Sequence, residues 1–224
     1  MSVSVDDLPN FRALIGGMPT IRLRRIWQQD FAQRLAIDAD WRQQILTLEQ
    51  VLSGVLPDAR QALLAMVVGQ IDQRNCERGW AQAFDLLNQA RAYRYLADFG
   101  CREIIFLPGS ITGKTPDLMA ESSDGPVLCE VKTVHFTART AGRTPAMSVR
   151  KLAERLTAAA NQLNTFPAAP PVRRIVYFCL DFPGEIFGAA DTAAHREAVA
   201  AFAATEKPGE IELVLDFGAG GLMQ

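Results

Sequence analysis

The sequence predicts an α/β fold preceded by a helical N-terminal extension, and three observations carry that expectation. Up to about residue 100, apolar residues recur almost throughout at the helical period. Beyond it, short β-rich runs alternate with amphipathic helical stretches. Pro108-Gly109 and Asp124-Gly125-Pro126 punctuate those runs as strand ends and turns.

Taken in order, residues 1–75 read as helical, with candidate helices at 21–35, 40–52 and 58–73. Asp38 or Asp40 suits the N-cap of the second, and Pro57-Asp58 suits the start of the third. Residues 76–100 predict one long helix, with Trp80, Ala83, Phe84, Leu87, Ala92, Tyr95, Leu96 and Phe99 at helical spacing and Gly100 as its stop. A short strand follows at 102–107, then a hairpin of 115–121 and 127–134. A helix at 148–164 takes Ser148 as its N-cap. The run RIVYFCL at 174–180 is continuous enough to be a strand covered on both faces. An alanine-rich helix at 193–204 and an alternating strand at 210–217 complete the chain.

The hairpin carries the chemistry. Strand alternation puts Glu130 and Lys132 on one face. A turn centred on Ser123-Asp124 pairs Asp117 with Glu130; one centred on Asp124-Gly125 pairs it with Lys132. In either register the three groups share a face, with Cβ atoms within about 4.5–8 Å. Two carboxylates and an ammonium converging there are costly to bury without a purpose. A hard divalent cation supplies one: Mg²⁺ (or Mn²⁺) takes oxygen ligands and keeps waters, so Asp117, Glu130 and the backbone carbonyl of Val131 suffice. Lys132 would orient or deprotonate an attacking water, or neutralise charge developing on a phosphorane. The expected chemistry is metal-assisted phosphodiester hydrolysis. Only four of the 23 basic residues are lysines (114, 132, 151 and 207), so a lysine at 132 suggests a need for a compact amine whose pKa can move.

Pro116-Asp117 followed by Glu130-x-Lys132 resembles the signature of the PD-(D/E)xK nuclease superfamily, which includes restriction endonucleases, junction resolvases and recombination exonucleases. The resemblance covers about residues 76–217. It implies a restriction-endonuclease-like core: a helix, a three-stranded meander, a helix and a strand, in a mixed β-sheet flanked by helices. The implied domain is 76–224, with 1–75 as the extension. It also implies a DNA substrate and, by analogy, an endonuclease of restriction or repair type. Many members carry an acid on the first core helix; by spacing that position is Gln89, with Glu77 and Asp85 the nearest acids, which puts a second metal in doubt. Many also carry a substrate-facing lysine or glutamine on the helix after the Glu-x-Lys strand, a description that fits Lys151 and Gln162.

Charge gives a further expectation. Residues 135–155 carry Arg139, Arg143, Arg150, Lys151 and Arg155 against Glu154 alone, in a chain of net charge −2. Arg139 and Arg143 are therefore candidate phosphate contacts in a loop closing over nucleic acid; an ordinary solvated loop is the plainer alternative. In residues 1–75, eight basic and eight acidic residues balance, so the extension suits packing on the core, a homodimer contact or a docked protein better than a general grip on nucleic acid. Arg22, Arg24 and Arg25 could still touch phosphate locally. Trp27, Trp41 and Trp80 are expected in the core.

Other classes receive less support. Cys76, Cys101, Cys129 and Cys179 lack zinc-ligand pairing and read as reduced, buried thiols of a cytoplasmic protein. No apolar run is long enough to span a membrane, and no leader suggests secretion. His195 has no nearby nucleophile in sequence, which argues against a histidine-based hydrolase. Residues 108–115 mimic a phosphate-binding P-loop, but Pro108 stands at its first glycine and too few residues follow for the required helix. A non-catalytic binding module on the same fold is the remaining alternative, and the presence of all three motif residues weighs against it.

Overall fold

The computed structural model describes residues 3–109, 115–135, 145–168, 170–181, 189–206, 209–217 and 222–223. The chain divides into two compact units, Met1–Asp98 and Phe99–Gln224. That division falls after Asp98, whereas the expected domain begins at residue 76.

The first unit is helical: α1 (Pro9–Gly16), α2 (Ile21–Ile37), α3 (Ala39–Ser53), α4 (Pro57–Gln70), α5 (Cys76–Leu87) and α6 (Gln89–Asp98). Thr20, Asp38 and Asn75 cap α2, α3 and α5 by accepting from the amides of Leu23, Trp41 and Arg78. The tryptophans are core residues, as expected. Trp27 and Trp80 have ring centroids 4.6 Å apart, and Phe31 meets Trp41 edge-on at 5.1 Å. Their polar atoms are satisfied: Trp80 Nε1 donates to Asp30 at 2.8 Å and Trp27 Nε1 to the Gln73 carbonyl at 3.1 Å. Two expectations need correcting. The single helix at 76–100 is two helices meeting at Asn88, whose side chain competes for local backbone bonds and suits a helix end. The helix α1, with Pro9 in its first turn, was not among the candidate helices of residues 1–75.

The second unit contains a six-stranded mixed sheet in the order β1 (Arg102–Phe106), β2 (Leu118–Ser122), β3 (Gly125–His135), β4 (Arg173–Asp181), β5 (Ile211–Asp216), β6 (Leu222–Met223). Strands β1 to β3 form an antiparallel meander, β4 and β5 add in parallel, and β6 is antiparallel. A parallel step needs a crossover. Helices α7 (Pro145–Thr165) and α8 (Ala189–Thr205) lie in the two connections. Their apolar stripes share one core with the sheet, built from Leu152, Leu156 and Leu163 against Leu128, Val134, Val176, Phe178 and Leu213. The second unit is thus α/β, a mixed sheet flanked by helices.

Ser148 is not the cap of α7. The helix includes Pro145, and Ser148 is fully buried one turn inside it. Among the described residues no helix is long and apolar enough to cross a membrane.

Candidate metal centre

The hairpin register settles where the acids stand. Ser122 pairs with Gly125 and Leu118 with Cys129, so the turn centres on Ser123-Asp124. Continued by one residue, that register sets Asp117 opposite Glu130. Gly125 makes the turn possible: its φ is +119°, and an added Cβ would sit 2.8 Å from the Pro171 carbonyl oxygen. Ser122 Oγ locks the turn, donating to the Gly125 carbonyl at 2.8 Å.

Alternation along β3 sends Leu128, Glu130, Lys132 and Val134 to the face covered by α7, with apolar residues bracketing the two ionisable ones. Glu130 is 2% exposed. One of its oxygens, Oε1, accepts from Lys132 Nζ. The other, Oε2, accepts from Gln162 Nε2 of α7 at 2.7 Å; the same Nε2 reaches the Thr115 carbonyl at 2.6 Å. Asp117 Oδ2 accepts from the Val131 amide at 2.7 Å. In an extended strand the amide and carbonyl of one residue point to the same side. The Val131 carbonyl therefore lies on the side of β3 that faces Asp117.

The electrostatics are those of an incomplete site. Burial raises the Asp117 carboxyl above its usual range, against the Val131 hydrogen bond and Lys132, which lower it. Burial, and then the neighbouring charge of Asp117, push Glu130 from 4.5 up to about 7, although Lys132 opposes both. One ammonium does not compensate a buried and a half-buried carboxylate. The donor set, two carboxylates and a backbone carbonyl, fits a hard divalent cation that keeps several waters. Among the described residues no group of three or more His, Cys, Asp or Glu side chains could hold a metal, so a cation here would rest on this smaller set.

Of the sequence-predicted site residues, the structure brings together Asp117, Glu130, Val131, Lys132 and Gln162. Gln162 was expected to face substrate; it ties α7 to Glu130 instead. Lys151 donates to the His135 carbonyl at 2.6 Å, at the far end of β3. Arg139 and Arg143 lie outside the described residues. Gln89 is buried on α6, and Glu77 and Asp85 are exposed on α5, all in the first unit.

Two contacts had no sequence signal. His135 Nδ1 meets Asp181 Oδ2 at 3.1 Å where β3 and β4 end side by side. Ser148 Oγ lies 2.8 Å from His195 Nδ1, although no nucleophile was expected near His195. Both residues are buried, at 0% and 3% exposure, so the pair is a sealed polar cross-link between α7 and α8 rather than an accessible nucleophile. As for the P-loop alternative, residues 110–114 lie outside the described residues, and after them the chain enters β2 at Leu118 rather than a helix.

No family model and no curated protein matches this chain. Among solved structures it is similar to SfsA of Pyrococcus furiosus in complex with Ca²⁺, at 12% identity and a TM-score of 0.23. The match covers 66% of this chain and 62% of that one, so the chain spans less than two thirds of SfsA's length. A likeness this distant carries no weight for fold or chemistry.

Proposed function

We propose that this chain is a Mg²⁺-dependent (or Mn²⁺-dependent) nuclease of the PD-(D/E)xK type that hydrolyses phosphodiester bonds in DNA, as an endonuclease of restriction or repair type. The observation that carries the reading is the meeting of Asp117, Glu130 and Lys132 on one face of a hairpin, with Glu130 buried, Asp117 half-buried and both acids raised in pKa. DNA as the substrate rests on the resemblance of Pro116-Asp117 and Glu130-x-Lys132 to that superfamily.

Asp117, Glu130 and the Val131 carbonyl would hold the cation. When bound, it would polarise the scissile phosphate and acidify a coordinated water. The protein's own groups prepare the rest. The Val131 amide fixes Asp117, and Gln162 fixes one oxygen of Glu130, so neither carboxylate has to be ordered on binding. Lys132, 22% exposed at its side chain and paired with Glu130, stands where it can orient the attacking water or offset charge developing on phosphate oxygens. Arg139 and Arg143 are proposed contacts to the substrate backbone. The test is incubation of supercoiled plasmid with Mg²⁺ or Mn²⁺, wild type beside Lys132→Ala. Wild type is expected to nick the plasmid, and the variant to be slower by roughly 10²–10⁴-fold. Equal nicking by both proteins would remove the support for this assignment.

A further inference from the structure

The outward side of α2 is apolar where a lone surface helix would be polar. Its inward stripe of Trp27, Phe31 and Leu35 is buried in the core of the first unit. On the far side Ile26 and Ile37 are 41% and 75% exposed, and Ile21 is 75% exposed at the start of the helix. Among the described residues six large apolar side chains are exposed, and α2 carries half of them. Their spacing is regular. Arg22, Ile26, Gln29, Gln33 and Ile37 succeed one another at steps of four, three, four and four. At about 3.6 residues per turn they fall within an arc of about 80°. That is one continuous stripe, of the kind that seats a second helix.

The charges of α2 run against its own dipole. A helix N-terminus favours anions, yet the first turn of α2 holds no acid and Arg22, Arg24 and Arg25 crowd there. Arg24 Nε donates to the Met18 carbonyl at 2.8 Å. Arg22 and Arg25 are exposed and form no ion pair among the described residues. At the other end the basic side chains are engaged: Arg34 binds Asp30 at 2.8 Å and Arg42 the Leu35 carbonyl at 2.6 Å. Asp38 and Asp40 therefore set the charge just beyond the C-terminus, where the dipole is negative as well. Each end of the helix carries the charge that its opposite end would attract. An antiparallel copy of the same helix supplies that match at both ends.

We propose that the outward face of α2 is a self-association surface, on which α2 of a second copy of this chain packs antiparallel. A two-fold axis level with Phe31 and Ala32 sets Ile26 against the partner's Ile37 and Ile37 against the partner's Ile26, an isologous contact. In the same register Arg25 lies level with the partner's Asp38, and Arg22 with the turn that carries the partner's Asp40. Gln29 and Gln33 hold the middle of the seam, where side-chain amides can both donate and accept. A lipid surface suits the stripe less well, because Asp38 and Asp40 would then face anionic headgroups. The contact is one helix wide, so the dimer is expected to be weak and to dissociate on dilution. The inference stands independently of the nuclease reading.

The test is sedimentation velocity of the full chain from low micromolar to submillimolar concentration. Wild type is expected to pass from monomer to dimer across that range. Ile26→Glu or Ile37→Glu should weaken association by about tenfold or more. Arg22→Glu should weaken it too, and Arg22→Glu combined with Asp40→Arg should restore it, since the exchanged charges again meet across the two-fold. Ile105→Glu, at an exposed apolar residue of the second unit, should leave association unchanged. The substituted residues of α2 are exposed, and unchanged thermal unfolding of their variants separates a lost contact from a lost fold. A chain that stays monomeric throughout overturns the proposal, and if that monomer floats with vesicles of anionic lipid the face belongs to a membrane instead. Association that survives both isoleucine variants, or that Ile105→Glu weakens as much, overturns it as well. A monomer that still nicks plasmid would leave the nuclease reading standing, and a dimer that does not would leave this inference standing.

Discussion

Each unit of this protein buries a glutamate, and the two are handled in opposite ways. Glu49 of α3, 8% exposed, is surrounded by donors: it accepts from the Asn10 amide at 3.0 Å, from Asn10 Nδ2 at 2.6 Å and from the Phe11 amide at 3.3 Å. Those amides lie in the first turn of α1, where backbone N–H groups have no helical partner and the dipole favours an anion. The carboxylate of Glu49 thus completes a helix from a distant part of the chain. Glu130 is buried more deeply and has donors too, but Asp117 stands beside it and its pKa rises to about 7. A buried acid met only by donors is a structural part. One placed beside a second, half-buried acid still lacks positive charge, and in this protein that deficit marks the place where chemistry is expected.

The contrast can be broken by substitution. Glu49→Ala leaves buried amides unsatisfied and is expected to cost about 1–3 kcal/mol in denaturant unfolding while sparing cation binding. If Glu49→Ala folds as stably as wild type, the carboxylate is not what holds α1. Gln162→Ala should weaken cation affinity by about 10–100-fold, since it removes the group that fixes Glu130 Oε2. An unchanged affinity would make Gln162 a packing residue only. The smallest effect has a sign that depends on pH. Because the folded-state pKa of Glu130 exceeds its ordinary 4.5, the folded protein holds a proton there between about pH 4.5 and 7 that the unfolded chain has released. The metal-free protein should therefore gain stability as pH falls from 7 towards 4.5, and Asp117, also raised, adds in the same direction. Glu130→Gln should raise the melting temperature of metal-free protein at pH 8 and have little effect at pH 5. A loss of stability at pH 8 would mean that the charged carboxylate is already well compensated.

The sequence made the site legible because strand alternation is strict: Glu130 and Lys132 must share a face whatever lies around them. It left the register open because Ser123, Asp124 and Gly125 suit either turn; the observed pairing of Ser122 with Gly125 is one of the two. Distant partners explain the misses. Ser148 has the composition of a helix cap, yet its partner is His195, 47 residues away on another helix. The helix α1 has weak local signals because its N-terminal amides are met by Glu49, 39 residues on from Asn10. Gln162 was legible as a site residue but not in its role, which depends on how α7 packs over β3. Local period and turn chemistry are written in the residues nearby, whereas tertiary partners are not.

The central claim, that Asp117 and Glu130 form an acid pair built around a cation, is tested most directly by titrating metal-free protein with Mg²⁺ and Mn²⁺ in a calorimeter at pH 6 and pH 8. One cation is expected to bind wild type with proton release at pH 6 and more tightly at pH 8, and binding should vanish in Asp117→Ala. Heats absent from wild type, or unaltered by Asp117→Ala, would contradict the account.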